Sequence, residues 1–550
     1  MTGALSFADS PRAAAARLVL AACAALPWIQ PFAPGPSANA VPLLVAWSFS
    51  ALALLSAPAL PRRLPLWLAA GAVLALLGWA ANWSGVTAAA LAALAAMAAC
   101  AAAVAGQPDA RAAARAVAIG WLVAALTSSA MALLQYFGWA GPLSPLVNAA
   151  ELGEAFGNLR QRNQFATLTT LGLASLLWLG SGRLALAIPG VALLAIANAA
   201  SASRTGLLQW GMVLVCVALW PGPRWRRWAA LVAFGLALYL AASLVLPALL
   251  ERISGGSSLN VFSRISSQAA CGTRSLLWPN VLELIAARPW TGWGWGELDF
   301  AHLWHLYRGP RFCDILDNAH DLPLHLAVEL GVPVALAVCA VLVWGVVRAR
   351  PWSEAEPHRR VAWLAALAIG LHSMVEYPLW YGPFQMALGF AVGMLWLGWD
   401  ADDAEVSHYG SGALWPRVLL GIFCVAALGY GFLEYGRVSQ LYLPAEARWA
   451  AYREDPMSKV RDARLFRDQV VFAELTTTPL TRENAPELHK LALEMVHFSP
   501  EPKVIEKVIE SALMLHRDEE VEAYVTRYRI AFPEEYRAWA EAHGVMAQAR

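Results

Sequence analysis

Apolar residues fall into blocks of about 17 to 25 along roughly the first four-fifths of the chain, the length a helix needs to cross a bilayer. Thirteen such windows stand out, at 14–32, 42–60, 64–82, 86–105, 113–137, 164–180, 184–200, 206–220, 229–248, 321–347, 361–379, 383–399 and 416–434. One polar interval of roughly 70 residues, from Leu249 to about His325, interrupts them. Ordinary connections are much shorter, so a loop of this length has work to do. After Gly436 the pattern changes. Charges become dense, and apolar residues recur at helical spacing, as in Ala463, Phe466, Val470 and Ala473, or Val504, Val508 and Leu515. Pro456, Pro479, Pro486, Pro500 and Pro533 divide this region into segments of about 15 to 20 residues. The pattern predicts an all-α polytopic membrane protein of about 13 transmembrane helices. A membrane domain over 1–436 carries a large loop at 249–320, and 437–550 forms a soluble domain of helical hairpins, tetratricopeptide-like in character. That tail binds a partner, braces the membrane domain or simply caps it.

Composition agrees. The hydrophobic fraction is 59% and the charged fraction 14%, against roughly 25% charged in soluble domains. A net charge of +1 gives no overall nucleic-acid character. Arg12 and Arg17 precede an apolar run that lacks a polar exit, which predicts an uncleaved first span. With that end cytoplasmic, the short loops on the inner side hold Arg62 and Arg63; Arg111 and Arg115; Arg183; Arg224, Arg226 and Arg227; and Arg348, Arg350, Arg359 and Arg360. The opposite loops 33–41 and 82–85 hold no basic residue. This is the positive-inside asymmetry. An odd number of spans places the tail and the long loop outside, in the periplasm of a bacterium whose inner membrane holds the chain.

A few arginines lie on the wrong side for that rule. Arg160 and Arg162 occupy the 138–163 loop, and Arg204 the very short 200–205 loop. Arg204 either snorkels to headgroups or serves a function. Arg204, Arg274 and His320 form the strongest chemical constellation, all on the outward side. Guanidinium forks pair with pyrophosphate oxygens and keep their charge. A histidine titrating near neutrality suits proton removal from an alcohol. The trio fits transfer of a group from a lipid pyrophosphate to a hydroxyl. Cys23, Cys100, Cys216, Cys339 and Cys424 fall in apolar spans. Cys271 and Cys313 fall in the outward loop, as a disulfide or as two free thiols. His302, His305, His320 and His325 come without a carboxylate-rich cluster, so no metal site is expected.

Four segments carry a family resemblance. Gly157-Asn158-Leu159-Arg160-Gln161-Arg162-Asn163-Gln164-Phe165-Ala166-Thr167 is similar to an RQPN-type motif, with Arg162 where proline is usual. Ala202-Ser203-Arg204-Thr205-Gly206 is similar to a Ser-Arg-Thr/Ser-Gly motif. Asn318-Ala319-His320-Asp321-Leu322-Pro323-Leu324, followed by Glu329-Leu330-Gly331, is similar to a histidine motif after a long loop. His372-Ser373-Met374-Val375-Glu376-Tyr377-Pro378-Leu379-Trp380-Tyr381 is the fourth. Together they resemble the O-antigen ligase and Wzy-polymerase superfamily, above all its PglL-type protein O-oligosaccharyltransferases.

The resemblance implies a metal-independent, inverting glycosyltransferase without a cofactor. Its donor would be an undecaprenyl-pyrophosphate-linked glycan, and its acceptor a Ser or Thr of a periplasmic protein such as pilin. The alternatives are ligation onto lipid A–core, glycan polymerisation and, in another class, transport. On this resemblance Arg204 and Arg274 bind the pyrophosphate and His320 activates the acceptor hydroxyl. Arg160, Gln161, Gln164, His372, Glu376, Tyr377 and Tyr381 are the substrate-binding candidates. The loop tryptophans 278, 290, 293, 295 and 304 stack on sugars or form an interfacial belt, the belt being the expectation for most of them.

Overall fold

The computed structural model describes residues 11–58, 85–107, 109–180, 184–220, 225–256, 273–396 and 414–543. The expected span at 64–82 and the expected disulfide partner Cys271 lie outside them. Helices and turns account for every described element, with no strand among the described residues.

The chain divides into two compact units. One comprises the described parts of Met1–Trp83, Ala88–Ser267 and Val346–Phe432, and the other those of Ser84–Thr87, Gln268–Gly345 and Leu433–Arg550. The described part of the long loop from Thr273 on falls in the unit that holds the C-terminal region.

The first unit is a bundle of apolar helices: α1 (Pro11–Ile29), α2 (Ala40–Ser56), most of α3 (Gly85–Ala105), α4 (Ala110–Tyr136), α5 (Arg162–Leu179), α6 (Leu184–Ala200), α7 (Arg204–Leu219), α8 (Trp225–Ser254), α13 (Pro357–Ser373), α14 (Gly382–Trp396) and most of α15 (Leu414–Ser439). Helix α5 sits at its centre, packed against α4, α6, α7 and α13. Every residue from Gln164 to Leu177 is buried. Its threonines find partners inside: Thr169 donates to the Ala166 carbonyl at 2.7 Å and Thr170 to Gln209 Oε1 at 3.2 Å. Small residues let the helices approach closely, as apolar solvent demands. A Cβ on Gly120 would lie 2.4 Å from the Ala21 carbonyl oxygen of α1, and one on Gly172 2.3 Å from Ala125 Cβ of α4.

Among the described residues, six helices are long and apolar enough to cross a membrane, and α2, the Ala187–Ala200 part of α6, and α7 are shorter apolar helices. Two of the six, α12 (Val332–Ala349) and α15, leave their large side chains uncovered: Val341, Val343 and Trp344 on α12, and Trp415, Phe423 and Val425 on α15, are all more than 60% exposed. Apolar surface of that extent suits hydrocarbon rather than water. The chain is a multi-pass helical membrane protein.

The window at 321–347 is not one span. It breaks at Gly331, whose φ of +87° ends the short α11 (Leu322–Leu330) before α12 begins. The 289–294 segment closes over this break. Trp293 N donates to the Val328 carbonyl at 2.9 Å, Gly294 N to that of Glu329 at 3.0 Å, and Val332 N to that of Pro289 at 2.8 Å.

In the second unit, α10 (Leu298–Trp304) has two packed faces. Leu298 and Ala301 join Leu277, Val281 and Leu284 of α9 (Arg274–Ala287), together with Leu316, Ala319 and Val328. Phe300, Leu303 and Trp304 instead enter the core of the C-terminal helices α16 (Arg467–Thr477), α17 (Ala485–Phe498), α18 (Pro502–Met514), α19 (Asp518–Ala531) and α20 (Pro533–Ala542). The His497 ring stacks on Phe300 at 3.8 Å, and its Nδ1 lies 2.6 Å from Glu297 Oε2. The loop tryptophans are largely structural. Trp278 donates to the Ala319 carbonyl, Trp293 donates to that of Leu284 beneath Arg288, and Trp304 is held by the tail. Of the five, only Trp290, 78% exposed, has the exposure a belt residue needs.

Candidate functional site

Three of the four motif segments fold into the same local device. A residue with left-handed φ precedes a capping residue, whose side chain accepts from the backbone N–H three positions on and so starts a helix. Arg160 (φ 60°) precedes Gln161, whose Oε1 accepts from Gln164 N at 2.6 Å and opens α5. Ala202 (φ 52°) precedes Ser203, which accepts from Gly206 N at 3.1 Å and opens α7. His320 (φ 52°) precedes Asp321, which accepts from Leu324 N at 2.9 Å and opens α11. Six non-glycine residues have positive φ among the described residues, and half of them stand at these turns. Such conformations cost on the order of 1 kcal/mol or more and collect at functional sites.

Both arginines of the constellation are first residues of helices, Arg204 of α7 and Arg274 of α9. A helix start presents unpaired N–H groups and positive partial charge, which a guanidinium there reinforces for an anion. Arg204 is exposed although Ser201, Ala202, Ser203, Thr205 and Gly206 around it are all buried. Among the described residues its side chain makes no hydrogen bond or ion pair.

The first unit contains a pocket lined by Gln161, Gln164, His372, Glu376, Tyr377, Pro378 and Tyr381. Two segments some two hundred positions apart in sequence thus meet: the head of α5, and the end of α13 with the turn that follows. Tyr377 and Tyr381 stack with centroids 5.9 Å apart and planes 22° apart. His372 is buried, with Nδ1 2.9 Å from Thr167 Oγ1. Thr167 also receives Gln209 Nε2 at 2.8 Å and donates to the Asn163 carbonyl at 3.0 Å. A hydroxyl has one proton, and with it on the carbonyl, His372 Nδ1 is the donor in this contact. A carboxylate, two amides, an imidazole and two tyrosine rings thus share one small hollow.

In the second unit Trp278 ties the helix that Arg274 opens to the turn that holds His320. One turn along α9 from Arg274, Trp278 Nε1 donates at 3.2 Å to the carbonyl of Ala319, the residue before His320. His320 N donates to Asn318 Oδ1 at 2.9 Å. Burial raises the Asp317 carboxyl above its ordinary range, and the neighbouring His320 pulls it back down. Behind the turn, burial pushes Glu329 up to about 8 and Asp299 up to about 8, with other carboxylates adding to the latter. Burial and the charge of His320 push His325 down to about 4. His325 Nε2 and Glu329 Oε2 lie 3.5 Å apart, both buried.

Arg160 does not line the pocket: its guanidinium donates to the carbonyls of Ala38 at 3.2 Å and Pro31 at 3.0 Å. Arg162, in the usual place of proline, is the first residue of α5 and pairs with Glu154. Cys313 is disulfide-bonded, and Cys23, Cys100, Cys216, Cys339 and Cys424 are free. Among the described residues no group of three or more His, Cys, Asp or Glu side chains is placed to hold a metal ion. Sequence reasoning gave no role to Asn163, Thr167 and Gln209, which tie the pocket together. Asn163 and Thr167 lay inside a recognised motif and Gln209 gave no signal; Trp278 was read only as a sugar-stacking or belt tryptophan.

Three family models match the chain. One described as "Protein glycosylation ligase" covers 155–179, one described as "O-Antigen ligase" covers 189–339, and one described as "Virulence factor membrane-bound polymerase, C-terminal" covers 361–545. The first falls on the Gln161 turn and α5, the second includes Arg204, Arg274 and His320, and the third includes the His372–Tyr381 turn and the C-terminal helices. The chain is 25% identical to a general O-oligosaccharyltransferase of Acinetobacter baylyi over 285 residues, 49% of this chain and 48% of the relative. It is 22% identical to a ComP-specific O-oligosaccharyltransferase of the same organism over 139 residues, 25% of each. The chain thus spans about half the length of the first of these curated relatives and a quarter of the second. No solved structure matches it. The resemblance to the O-antigen ligase and polymerase superfamily, with its protein O-oligosaccharyltransferase branch, holds across all four motifs.

Proposed function

We propose that this chain is a glycosyltransferase that moves a preassembled glycan from undecaprenyl pyrophosphate to a Ser or Thr hydroxyl of a periplasmic protein, pilin-like, at the outer side of the bacterial inner membrane. The acceptor oxygen bonds to the anomeric carbon, the bond from that carbon to the pyrophosphate oxygen breaks with inversion, and the lipid pyrophosphate leaves. Arg204 and Arg274 stabilise the leaving charge, an electrostatic role that needs no metal. His320 takes the hydroxyl proton. The observation that carries the reading is the pocket in which Gln161 and Gln164 meet His372, Glu376, Tyr377 and Tyr381. It joins the segment matched by the protein glycosylation model to the motif most characteristic of the protein-modifying branch.

The deciding experiment supplies purified full chain with lipid-linked glycan and three acceptors: a pilin-like protein, lipid A–core and free glycan. Label on the protein is the expected result. Label only on lipid A–core or only on extended glycan would reassign the acceptor, and no transfer to any of them would sink the transferase reading. Arg204→Ala, Arg274→Ala and His320→Ala should each abolish transfer and leave membrane insertion intact. Transfer should persist in EDTA. A polymerase is the second reading, favoured by the polymerase model over 361–545, which covers both the pocket turn and the C-terminal helices.

A further inference from the structure

We propose that Asn163 is a positioning residue that couples the Glu376 pocket to the helix start bearing Arg204. The inference rests on the transferase reading for its catalytic consequence, but its geometry stands apart from it. Three hydrogen bonds run in one direction. Gly206 N donates to Ser203 Oγ at 3.1 Å, Ser203 Oγ donates to Asn163 Oδ1 at 2.7 Å, and Asn163 Nδ2 donates to Glu376 Oε1 at 3.3 Å.

Each link fixes the next. The Ser203 hydroxyl accepts from the α7 backbone, so its single proton is left for Asn163. That proton holds the amide oxygen toward Ser203 and turns the amide nitrogen toward Glu376. Glu376 is thereby engaged as an acceptor at the edge of the pocket it lines. Successive bonds of this kind polarise and reinforce one another. Ser203 is itself fully buried, and its carbonyl takes Tyr239 OH at 3.2 Å, so the α7 end of the chain is anchored. At the other end, the Asn163 carbonyl accepts from Thr167, the partner of His372. A single amide therefore sets the pocket carboxylate and is bound to the cap that aims Arg204.

Asparagine suits this position because it is donor and acceptor at once. An aspartate in its place would still accept from Ser203 but would set an oxygen against the Glu376 oxygen. Two carboxylates at that range do not both ionise, and one proton shared between them restores the link. The variant's defect should then depend on pH.

The test compares wild type, Asn163→Asp, Ser203→Ala, Ser203→Thr and Asn163→Asp/Glu376→Gln as full-length protein. Both the transfer rate and the apparent melting temperature are read from pH 5.5 to 8.5. For Asn163→Asp, transfer should fall on the order of tenfold near pH 8, as for loss of a hydrogen bond to a charged group, and recover toward pH 5.5. Its melting temperature, taken relative to wild type at each pH, should follow the same course. The added Glu376→Gln should return the pH profile of melting to that of wild type, and Ser203→Thr should retain the activity that Ser203→Ala loses. A uniform loss in Asn163→Asp at every pH, or none, overturns the coupling. A wild type that transfers to no acceptor defeats the transferase reading alone, because the melting profiles still decide the coupling. Should Asn163→Asp fail to accumulate, Asn163→Ala and Glu376→Gln take its place. A double variant no worse than the worse single supports the coupling, and additive losses overturn it.

Discussion

The guanidinium carbon of Arg527 lies 3.8 Å from the centre of the Trp304 ring, and its Nε donates to the Trp304 carbonyl at 2.8 Å. A C-terminal helix thus holds the last residue of α10, whose other face packs in the core beside Ala319. Replacing Arg527 by Ala removes a cation–π contact and a hydrogen bond from a carbonyl, about 1 to 2 kcal/mol together. Trp304→Ala also opens a cavity and should cost about 3 to 5 kcal/mol. Both variants should melt earlier, in that order of severity, and expose the 288–312 segment to limited proteolysis. Unchanged cleavage in Trp304→Ala would show that the tail does not hold the loop.

Trp278 links the start of α9 to the His320 turn through one N–H. Phenylalanine at this position keeps most of the packing but leaves the carbonyl of fully buried Ala319 without that donor, at about 1 to 3 kcal/mol. Trp278→Phe is expected to lower kcat for glycan transfer by about tenfold or more, with a smaller change in the KM for the lipid-linked donor, because the displaced group is the proposed proton acceptor. A raised KM at constant kcat would instead assign the turn to donor binding.

Six of the seven pocket residues stood among the substrate-binding candidates because they lie in two segments that resemble the family's motifs. Asn163 was harder to read. An Asn in the first turn of a helix has no direction until its partner, 213 positions away, is in place. The break at Gly331 was hidden for a different reason. Glycine is common within membrane helices, and only the approach of the 289–294 segment shows that this one ends a helix. The tryptophans misled because amphipathic rings suit an interface and a packed loop equally well. The pairing of α10 with the tail depends on contacts between residues about two hundred positions apart, to which helical periodicity is blind.

The carboxyls behind the His320 turn give the protein a pH dependence with a definite sign. Glu329 rises from 4.5 to about 8 and Asp299 from 3.8 to about 8 on folding. The folded state therefore holds protons that the unfolded chain has released, and stability falls as pH rises toward 8. His325, lowered from 6.5 to about 4, acts oppositely but only on the acid side of 6.5. Between about pH 6.5 and 8 the carboxyls dominate. The apparent melting temperature should drop across that window, and Glu329→Gln should flatten the slope. A wild-type profile that rises from 6.5 to 8 would show that these groups are ionised in the folded state.

Gly331 is required twice over. Its φ of 87° and ψ of 157° belong to a region that is essentially glycine's alone. A Cβ there would also lie 2.3 Å from the Trp290 carbonyl oxygen, which is backbone and cannot rotate away. The crowding is reciprocal, since a Cβ on Gly292 would lie 2.3 Å from the Glu329 carbonyl oxygen. Gly331→Ala must therefore push the 289–294 segment off the α11–α12 junction, losing the hydrogen bonds that Val328 and Glu329 accept from it. Glycan transfer should fall with stability, because α11 begins two residues after His320. Gly345, within α12, is the control: a Cβ there meets nothing within 4 Å, and Gly345→Ala should leave both transfer and melting unchanged. Equal behaviour of the two alanine variants would mean that the junction is not what holds the histidine turn.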